Sequence, residues 1–475
     1  AHQYVDQSDF SVFYSNPFDG DPASPRIYFQ PVNGLFAALL KAGADPGFTF
    51  SLFGLLMAFA CIYLGVLIIR HLLPESKHQV LASILFTWGG GLSALAGVGS
   101  WFITGMNGSM ADATFLADPA NGWWGMNWGR TLFIPLEAYY HFLFLLGVYF
   151  ILKKKWTAAV VLSAFLSISH PFTGIEFLLI LLGWLGLEKF IFRNKHIPWS
   201  FCAGILAVAV FHYWYYLVYL QSFPEHKRLF SQYSAGWTYS FRVFIPAYAI
   251  VAALALLTVK LRKKMLLTPE ASFQRLFLCW AVIAFLLSKH EWFMRPMQPI
   301  HFTRGYIWAG LFLFALPALV WLKEKWSSGW KRWLFAAFIV LFLLDNTVWI
   351  INQLRDKHTA EWEGHISSDT KEVLDYLKQH STPNDLLTGN ATLVNYLTNA
   401  YSSANAWATH PYNTPDRNNR LTQMMQALSS GILLPEWKQR RVLVLINKKS
   451  EPITVHSSLQ TKKLFENNSY VLFTP

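Results

Sequence analysis

Six ionisable side chains stand inside long apolar stretches of the sequence. They are Glu137, His141, His170, Glu176, His212 and Asp345. An ionisable group inside an apolar helix costs free energy unless it is partnered, so such residues often mark a polar cavity or pathway in a membrane protein. The alternative for each residue is an ordinary hydrogen bond between two helices. On the topology predicted below, all six lie in the outer halves of their helices, which favours one cavity open to the outer face.

The spacing of two of these residues suggests a direct interaction. Glu137 and His141 are four residues apart, so on a helix they share one face and could pair, share a proton or bind a metal. A structural pair is the more common outcome of this spacing, and no second histidine group has the spacing of a metal site. Pro171 follows His170 and blocks continuation of the preceding helix. We therefore predict a polar cavity wall or turn at His170 and no metal site.

Cationic residues occur in the loops predicted to lie outside. Arg130 follows a segment rich in Trp and Gly, and Arg295, His301 and Arg304 precede a later helix. The planar guanidinium group donates two hydrogen bonds while it remains charged, which suits a phosphate. These residues are predicted phosphate contacts, and snorkelling to lipid headgroups is the alternative.

Four carboxylates occur in the first outer segment. They are Asp6, Asp9, Asp19 and Asp21. A carboxylate with open access to a cavity can act as the general base that activates a hydroxyl or amide acceptor. For Asp19-Gly20-Asp21 the competing interpretation is a solvated turn.

The composition predicts the elements that must hold these groups. Of 475 residues, 53% are hydrophobic and 14% charged, an apolar surplus typical of membrane proteins. A span needs about 20 apolar residues. About ten helices are predicted: Phe48–Leu72, Val80–Thr104, Leu132–Leu152, Ala158–Ser169, Ile175–Phe192, Trp199–Leu220, Phe241–Leu261, Leu276–Leu287, Tyr306–Leu322 and Trp333–Ile351. The net charge of +12 comes from short clusters between the apolar runs, which indicates membrane topology and not nucleic-acid binding.

Lysine and arginine alternate between loops as the positive-inside rule requires. Basic loops follow the first, third, fifth, seventh and ninth predicted helices, and the intervening loops are sparsely basic. This alternation predicts a multi-pass protein of the plasma or inner membrane, with both termini outside. The opening sequence is polar, which suggests either processing or a preceding helix that is missing.

Three regions are predicted from this pattern: a first outer loop with acidic residues and short amphipathic helices (1–47), a transmembrane helical domain (48–352) and a small extracytoplasmic α/β domain (353–475). The last region has helical periodicity at Thr370–His380, Ala391–Tyr401 and Arg417–Leu428. Short strands are predicted at Asp385–Thr388 and Arg441–Ile446, with a hairpin over Lys463–Phe473.

As a whole, the chain resembles the GT-C superfamily of polytopic glycosyltransferases, which use polyprenyl-phosphate or polyprenyl-diphosphate sugar donors. The resemblance is carried by the acidic first loop, the number of spans, the basic residues in later outer loops and the C-terminal domain with its closing strand pair. It implies that Asp6, Asp9, Asp19 and Asp21 occupy the place of catalytic acids, and that Arg130, Arg295 and Arg304 contact the lipid phosphate. The first loop lacks the adjacent acidic pair of several families.

The resemblance further implies inverting transfer of a sugar from a polyprenyl-phosphate donor to a glycan, lipid or protein acceptor on the outer face. It adds no certain cofactor, although a divalent metal would be compatible with it. Two alternatives stay open on the sequence. One is a lipid or solute transporter, and the other is a non-catalytic GT-C-like subunit of a larger membrane complex.

Overall fold

The computed structural model describes residues 13–21, 24–74, 77–107, 110–114, 127–232, 237–356, 365–410 and 412–475. Asp6 and Asp9 lie outside these ranges. The chain divides into two compact units. The helical unit consists of Ser51–Tyr216 and Ser234–Arg355, and the sheet unit consists of Ala1–Phe50, Leu217–Tyr233 and Asp356–Pro475.

The helices before the C-terminal region range from four-residue turns to apolar helices of more than twenty residues. They are α1 Pro31–Lys41, α2 Pro46–Leu72, α3 Gln79–Trp88, α4 Ser93–Ile103, α5 Met110–Ala113, α6 Trp128–Thr131, α7 Pro135–Leu152, α8 Trp156–Ser169, α9 Pro171–Gly186, α10 Trp199–Trp214, α11 Pro224–Gln232, α12 Phe241–Arg262, α13 Ser272–Ser288, α14 Tyr306–Lys325 and α15 Lys331–Asp356. Single π or 3₁₀ turns extend several of them, such as Leu187–Ile191 after α9 and Pro299–Phe302 before α14.

Each of the ten apolar runs in the sequence contains a helix, but fewer of these helices have the dimensions of a span. Within the described ranges, seven helical segments are long and apolar enough to cross a membrane. An eighth span results if α3 and α4, which meet at a 50° bend, are taken as one broken helix. The α8 helix has only 14 residues, as its short apolar run predicts. The longer apolar segments have the length and composition of membrane spans, and their insertion and the orientation of the chain remain predictions.

The C-terminal region forms a small mixed sheet with helices on both faces. Its elements are α16 Ser368–His380, β3 Asp385–Thr388, α17 Thr392–Tyr401, β4 Asn405–Ala406, α18 Arg417–Ser430, β5 Arg441–Asn447, β6 Lys462–Glu466 and β7 Tyr470–Thr474. A separate strand pair joins β1 Phe13–Tyr14 to β2 Tyr28–Phe29. The five-stranded order is β4-β3-β5-β7-β6, with β3 parallel to β4 and β5, and β7 antiparallel to its neighbours.

Alternation along the central strands divides the core of this sheet into two layers. Leu387 and Leu443 face α16 and α17, whereas Leu386 and Val442 face α18 and Trp437. Successive strand residues point to opposite faces, so a run such as Arg441–Asn447 can be apolar on both sides when helices cover both faces. This arrangement confirms the small C-terminal sheet predicted from the sequence.

Candidate functional site

Ionisable side chains from three helix starts meet in the helical unit. We call this group the Arg304 cluster; its members are Glu137, His141, His170, Thr173, Glu176, His301, Arg304 and Tyr306. Glu137 and His141 lie on the first two turns of α7, and Thr173 and Glu176 on the first turns of α9. His301 and Arg304 come from the turn before α14, and Tyr306 begins that helix. Because a helix start carries partial positive charge, three starts at one place favour a negative charge there.

The charged centre of the cluster is an ion pair. Arg304 donates through Nη1 to Oε1 of Glu137, and its Nη2 contacts Nδ1 of His301. The side chains are 4% exposed for Arg304 and 9% for Glu137, so water screens the pair little. A buried guanidinium held in this way is fixed in position as well as in charge.

The ring of His141 connects α7 with the start of α14. Its Nε2 lies 2.9 Å from the carbonyl oxygen of Arg304, which can only accept, so Nε2 carries the proton. Its Nδ1 lies 2.9 Å from the hydroxyl of Tyr306, which also reaches Oγ1 of Thr173 at 3.3 Å. Trp128 stacks on the same ring at 4.1 Å. Glu137 and His141 therefore bind different groups, and neither binds the other.

His170 has a structural role in addition to its place in the cluster. It caps α9, where its Nδ1 accepts from the amide of Thr173 at 3.1 Å, and Pro171 occupies the first helical position. The sequence predicts this turn, since proline suits the first turn of a helix and stops the helix before it. The His170 ring stacks on Tyr140 at 4.3 Å and is half-buried.

Glu176 is a buried carboxyl group whose presence the contacts of the described cluster residues do not explain. The residue is fully buried, and neither carboxyl oxygen has a hydrogen-bond partner in the described part of the chain. Arg304 is the charge that acts on it. Burying a carboxyl group without a hydrogen-bond partner costs free energy. A protein that keeps such a group often uses it in catalysis or binding.

Aromatic rings border the cluster. Phe172 stacks on His301 with centroids 4.6 Å apart, and Trp237 stacks at 5.8 Å. Both aromatic residues are half-buried, so this side of the cluster is its more accessible part.

Gly305 fixes the geometry between Arg304 and Tyr306. Its φ is +78°, and an added Cβ would lie 2.6 Å from Cα of Trp128. A side chain here would meet a backbone that cannot move aside, and L-residues rarely adopt this φ. The close approach of Gly305 to α6 therefore sets where α14 begins.

Two of the predicted residues, Asp345 and Arg130, lie away from the Arg304 cluster, at the break between α3 and α4. Asp345, on α15, accepts from the amides of Gly91, Ser93 and Ala94 at 3.0, 2.9 and 2.9 Å. It thus supplies the negative charge and the acceptors at the start of α4, beside the break with α3. The neighbouring Asn346 donates to the carbonyl oxygen of Gly89 at 3.0 Å.

Arg130 braces the same break. Its Nε donates to Oδ1 of Asn346 at 2.8 Å and its Nη2 to the carbonyl oxygen of Asp345 at 3.3 Å, and the residue is 4% exposed. These contacts favour a structural role for Arg130.

The remaining two predicted residues of the helical unit do not join either group. Arg295 is exposed and makes no hydrogen bond or ion pair with a described residue. His212 bonds Oγ of Ser167 through Nδ1 at 2.8 Å.

The acidic first segment lies in the sheet unit, where Asp19 is held on both carboxyl oxygens. Arg420 donates from Nη2 to Oδ1 at 3.0 Å, and Ser24 donates to Oδ2 at 2.9 Å. Arg440 donates to the carbonyl oxygen of Gly20. Asp19 is 7% exposed, so it is a buried anchor for its turn, whereas Asp21 is exposed.

The sequence interpretation missed several partners. Thr173 and Tyr306 complete the Arg304 cluster, Trp128 stacks on its His141 ring, and Arg420 holds Asp19. A second buried ion pair joins Arg275 to Glu188, with Nε–Oε1 at 2.6 Å and Nη2–Oε2 at 3.1 Å. The signal for this pair was present: Glu188 lies inside a predicted helix, and Arg275 immediately precedes one.

Metal chemistry has little support from geometry. Among residues 13–475, apart from the undescribed gaps, no group of three His, Cys, Asp or Glu side chains could hold a metal ion.

Comparison with known proteins gives no family for the chain. No protein-family model matches it, and no curated protein matches it at a significant level. The site must therefore be interpreted from its own chemistry.

Proposed function

We propose that the chain is a membrane glycosyltransferase that moves a sugar from a polyprenyl-phosphate donor to an acceptor at the outer face. The observation that carries the proposal is the Arg304 cluster. It combines a fixed guanidinium, the imidazoles of His301 and His170, and two carboxyl groups at three converging helix starts. A phosphate leaving group needs positive charge, and an acceptor hydroxyl or amide needs a base.

In this proposal, each group has one task. Arg304 and His301 stabilise the charge that develops on the lipid phosphate as the anomeric C–O bond breaks. Phe172 and Trp237 border the donor on the more accessible side. Glu176 takes the proton from the acceptor, because it is the carboxylate of the cluster whose oxygens no described group occupies. The role of the first-loop carboxylates remains a prediction.

The test is Glu176→Gln in protein reconstituted in vesicles with polyprenyl-phosphate-linked hexoses labelled in the sugar. Because the carboxyl oxygens bond no described group, the amide breaks no described hydrogen bond and the fold should persist. Loss of a general base lowers the rate roughly 10²- to 10⁴-fold. Glu324→Gln is the matched control, since Glu324 lies eighteen residues beyond Tyr306 on α14, about 27 Å along the helix, with its side chain 61% exposed.

A second candidate is a non-catalytic subunit of a membrane complex. It is favoured by the ion pair itself, because Glu137 already neutralises Arg304. Arg304→Lys discriminates: a catalytic site that needs the guanidinium fork loses transfer, whereas a scaffold retains its assembly. If wild-type protein transfers none of the hexoses and binds no polyprenyl phosphate, the transferase proposal is wrong.

A further inference from the structure

A groove of about 380 Å³ runs between α2 and α3 in the helical unit. One wall is formed by Ile62, Val66 and Arg70, which are spaced four residues apart on α2. The other is formed on α3 by a polar row, Gln79, Ser83 and Thr87, and the apolar residues Val80, Ile84 and Trp88. Residues four apart lie on one helical face, so each wall is a nearly straight ridge.

The depth of the groove follows from how closely the two helices approach behind it. Phe86 is buried and lies against Gly65, where an added Cβ would come within 2.9 Å of its ring. The absence of a side chain at Gly65 lets the helices meet at that point and leaves the two ridges apart in front. The groove runs from Ile62 to Arg70, eight residues or about 12 Å.

The groove has one charged end. The start of α3 bonds the chain just after α2, since Gln79 donates to Leu73, and further along α3 Phe86 lies against Gly65, so the two helices run antiparallel. Arg70 and Gln79 therefore lie at one end of the groove, and Ile62 and Trp88 at the other. Arg70 is exposed and has no hydrogen bond or ion pair with any described residue. Next to it in sequence, Nδ1 of His71 lies 3.4 Å from Nζ of Lys153. The amide of Gln79 is uncharged, and it donates to the carbonyl oxygens of Leu73 and Pro74 at 2.5 and 3.0 Å.

We propose that this groove binds one chain of an anionic membrane lipid, with the phosphate of its headgroup at Arg70. The groove is about as long as part of an acyl chain. Its α2 wall belongs to a helix with the dimensions of a membrane span, and its α3 wall belongs to the bent α3–α4 pair, which is apolar enough to form a further span. A membrane lipid is therefore the ligand that such a groove would meet. Basic pockets between membrane helices recognise anionic headgroups. The hydroxyl of Ser83 is already bonded to the carbonyl oxygen of Gln79 at 2.8 Å, which leaves the groove largely non-polar. This site is separate from the Arg304 cluster and does not depend on the transferase proposal.

The proposal can be tested with full-length protein in detergent, by native mass spectrometry with added phosphatidylglycerol or phosphatidylcholine of identical chains. We expect wild-type protein to retain phosphatidylglycerol preferentially. Arg70→Gln should weaken that retention about fivefold, equivalent to about 1 kcal/mol, and leave phosphatidylcholine unchanged. Arg332→Gln is the matched control, because Arg332 is exposed and lies outside the groove.

A second variant tests the groove apart from the charge. Ile84→Trp fills the space between the ridges, and the side chain of Ile84 is 50% exposed, so the larger residue need not disturb the core. It should reduce retention of both lipids. If Arg70→Gln and Arg332→Gln have equal effects, or if Ile84→Trp leaves both lipids bound as before, the proposed site is wrong. Retention of added inorganic phosphate at Arg70 without lipid preference would also overturn it.

Discussion

Asp19 offers a direct test of whether the acidic first segment is anchored or catalytic. Asp19→Ala removes an ion pair with Arg420 at 3.0 Å and a hydrogen bond from Ser24 at 2.9 Å. The two side chains are only 9% and 15% exposed, so solvent screens the pair little. A hydrogen bond to a charged group contributes about 1.5–3 kcal/mol, and we take about 2 kcal/mol as the cost of the substitution. That free energy corresponds to roughly a thirtyfold change in an opening equilibrium.

Amide hydrogen exchange on the full-length chain measures this opening. The amide of Asp19 donates to the carbonyl oxygen of Asn16 at 3.2 Å, and that of Ser24 to Asp21 at 3.1 Å. Both bonds depend on the anchored turn, so these amides should exchange about thirty times faster in Asp19→Ala. In a double-mutant cycle with Arg420→Gln, the two effects should be less than additive, because both substitutions remove the same ion pair. Arg420→Gln should keep an effect of its own, because Nη1 of Arg420 also donates to the backbone carbonyl oxygens of Asp19 and Trp407, which Asp19→Ala leaves in place.

Asp375→Ala is the control, since its ion pair with Lys371 is exposed and contributes little. If Asp19→Ala changes exchange by less than twofold, the anchoring argument fails. If it abolishes sugar transfer while exchange stays unchanged, the carboxylate is catalytic, as the family resemblance implies. Faster exchange with transfer retained would identify it as a structural residue.

Three further outcomes are expected. Burial, and then the charge of Arg417, lowers the pKa of His410 to about 4, whereas the unfolded side chain titrates near 6.5. The stabilising contribution of neutral His410 is therefore complete above about pH 6.5 and is lost as pH falls towards 4. Thermal unfolding of the sheet unit should show this dependence, and His410→Asn should flatten it. Glu188→Gln should destabilise the helical unit by about 3–5 kcal/mol, because it leaves Arg275 buried without its counter-charge, and a melting temperature equal to wild type would contradict this. Asp345→Ala should lower stability by at least about 2 kcal/mol through three unmatched amides, and cysteine labelling near the α3–α4 bend should then increase.

The sequence predicts most of the helices because membrane spans are marked by long apolar runs. Proline also marks some helix ends in the sequence: His170-Pro171 stands at the boundary of α8 and α9, and Pro135 occupies the first turn of α7. In the C-terminal region, alternation and turn residues predict β3 and the β6–β7 hairpin nearly to the residue. These features are local, so a single sequence carries them.

The partners of the buried charges could not be predicted in the same way. Arg304 bonds Glu137 across 167 residues, and Asp345 reaches the start of α4 across about 250. Helix periodicity shows that such a group must be satisfied, but it does not show which distant helix satisfies it. The six titratable residues therefore looked like one set, whereas Asp345 serves a separate helix break and His212 bonds Ser167 outside the Arg304 cluster.

The bond between Asp345 and the start of α4 has a consequence for biogenesis. Gly91, Ser93 and Ala94 are synthesised some 250 residues before the carboxylate that accepts their amide protons. In hydrocarbon, each exposed amide would cost several kcal/mol. The bent α3–α4 segment should therefore remain near water or the insertion machinery until α15 emerges, which makes its final placement a late step of membrane integration.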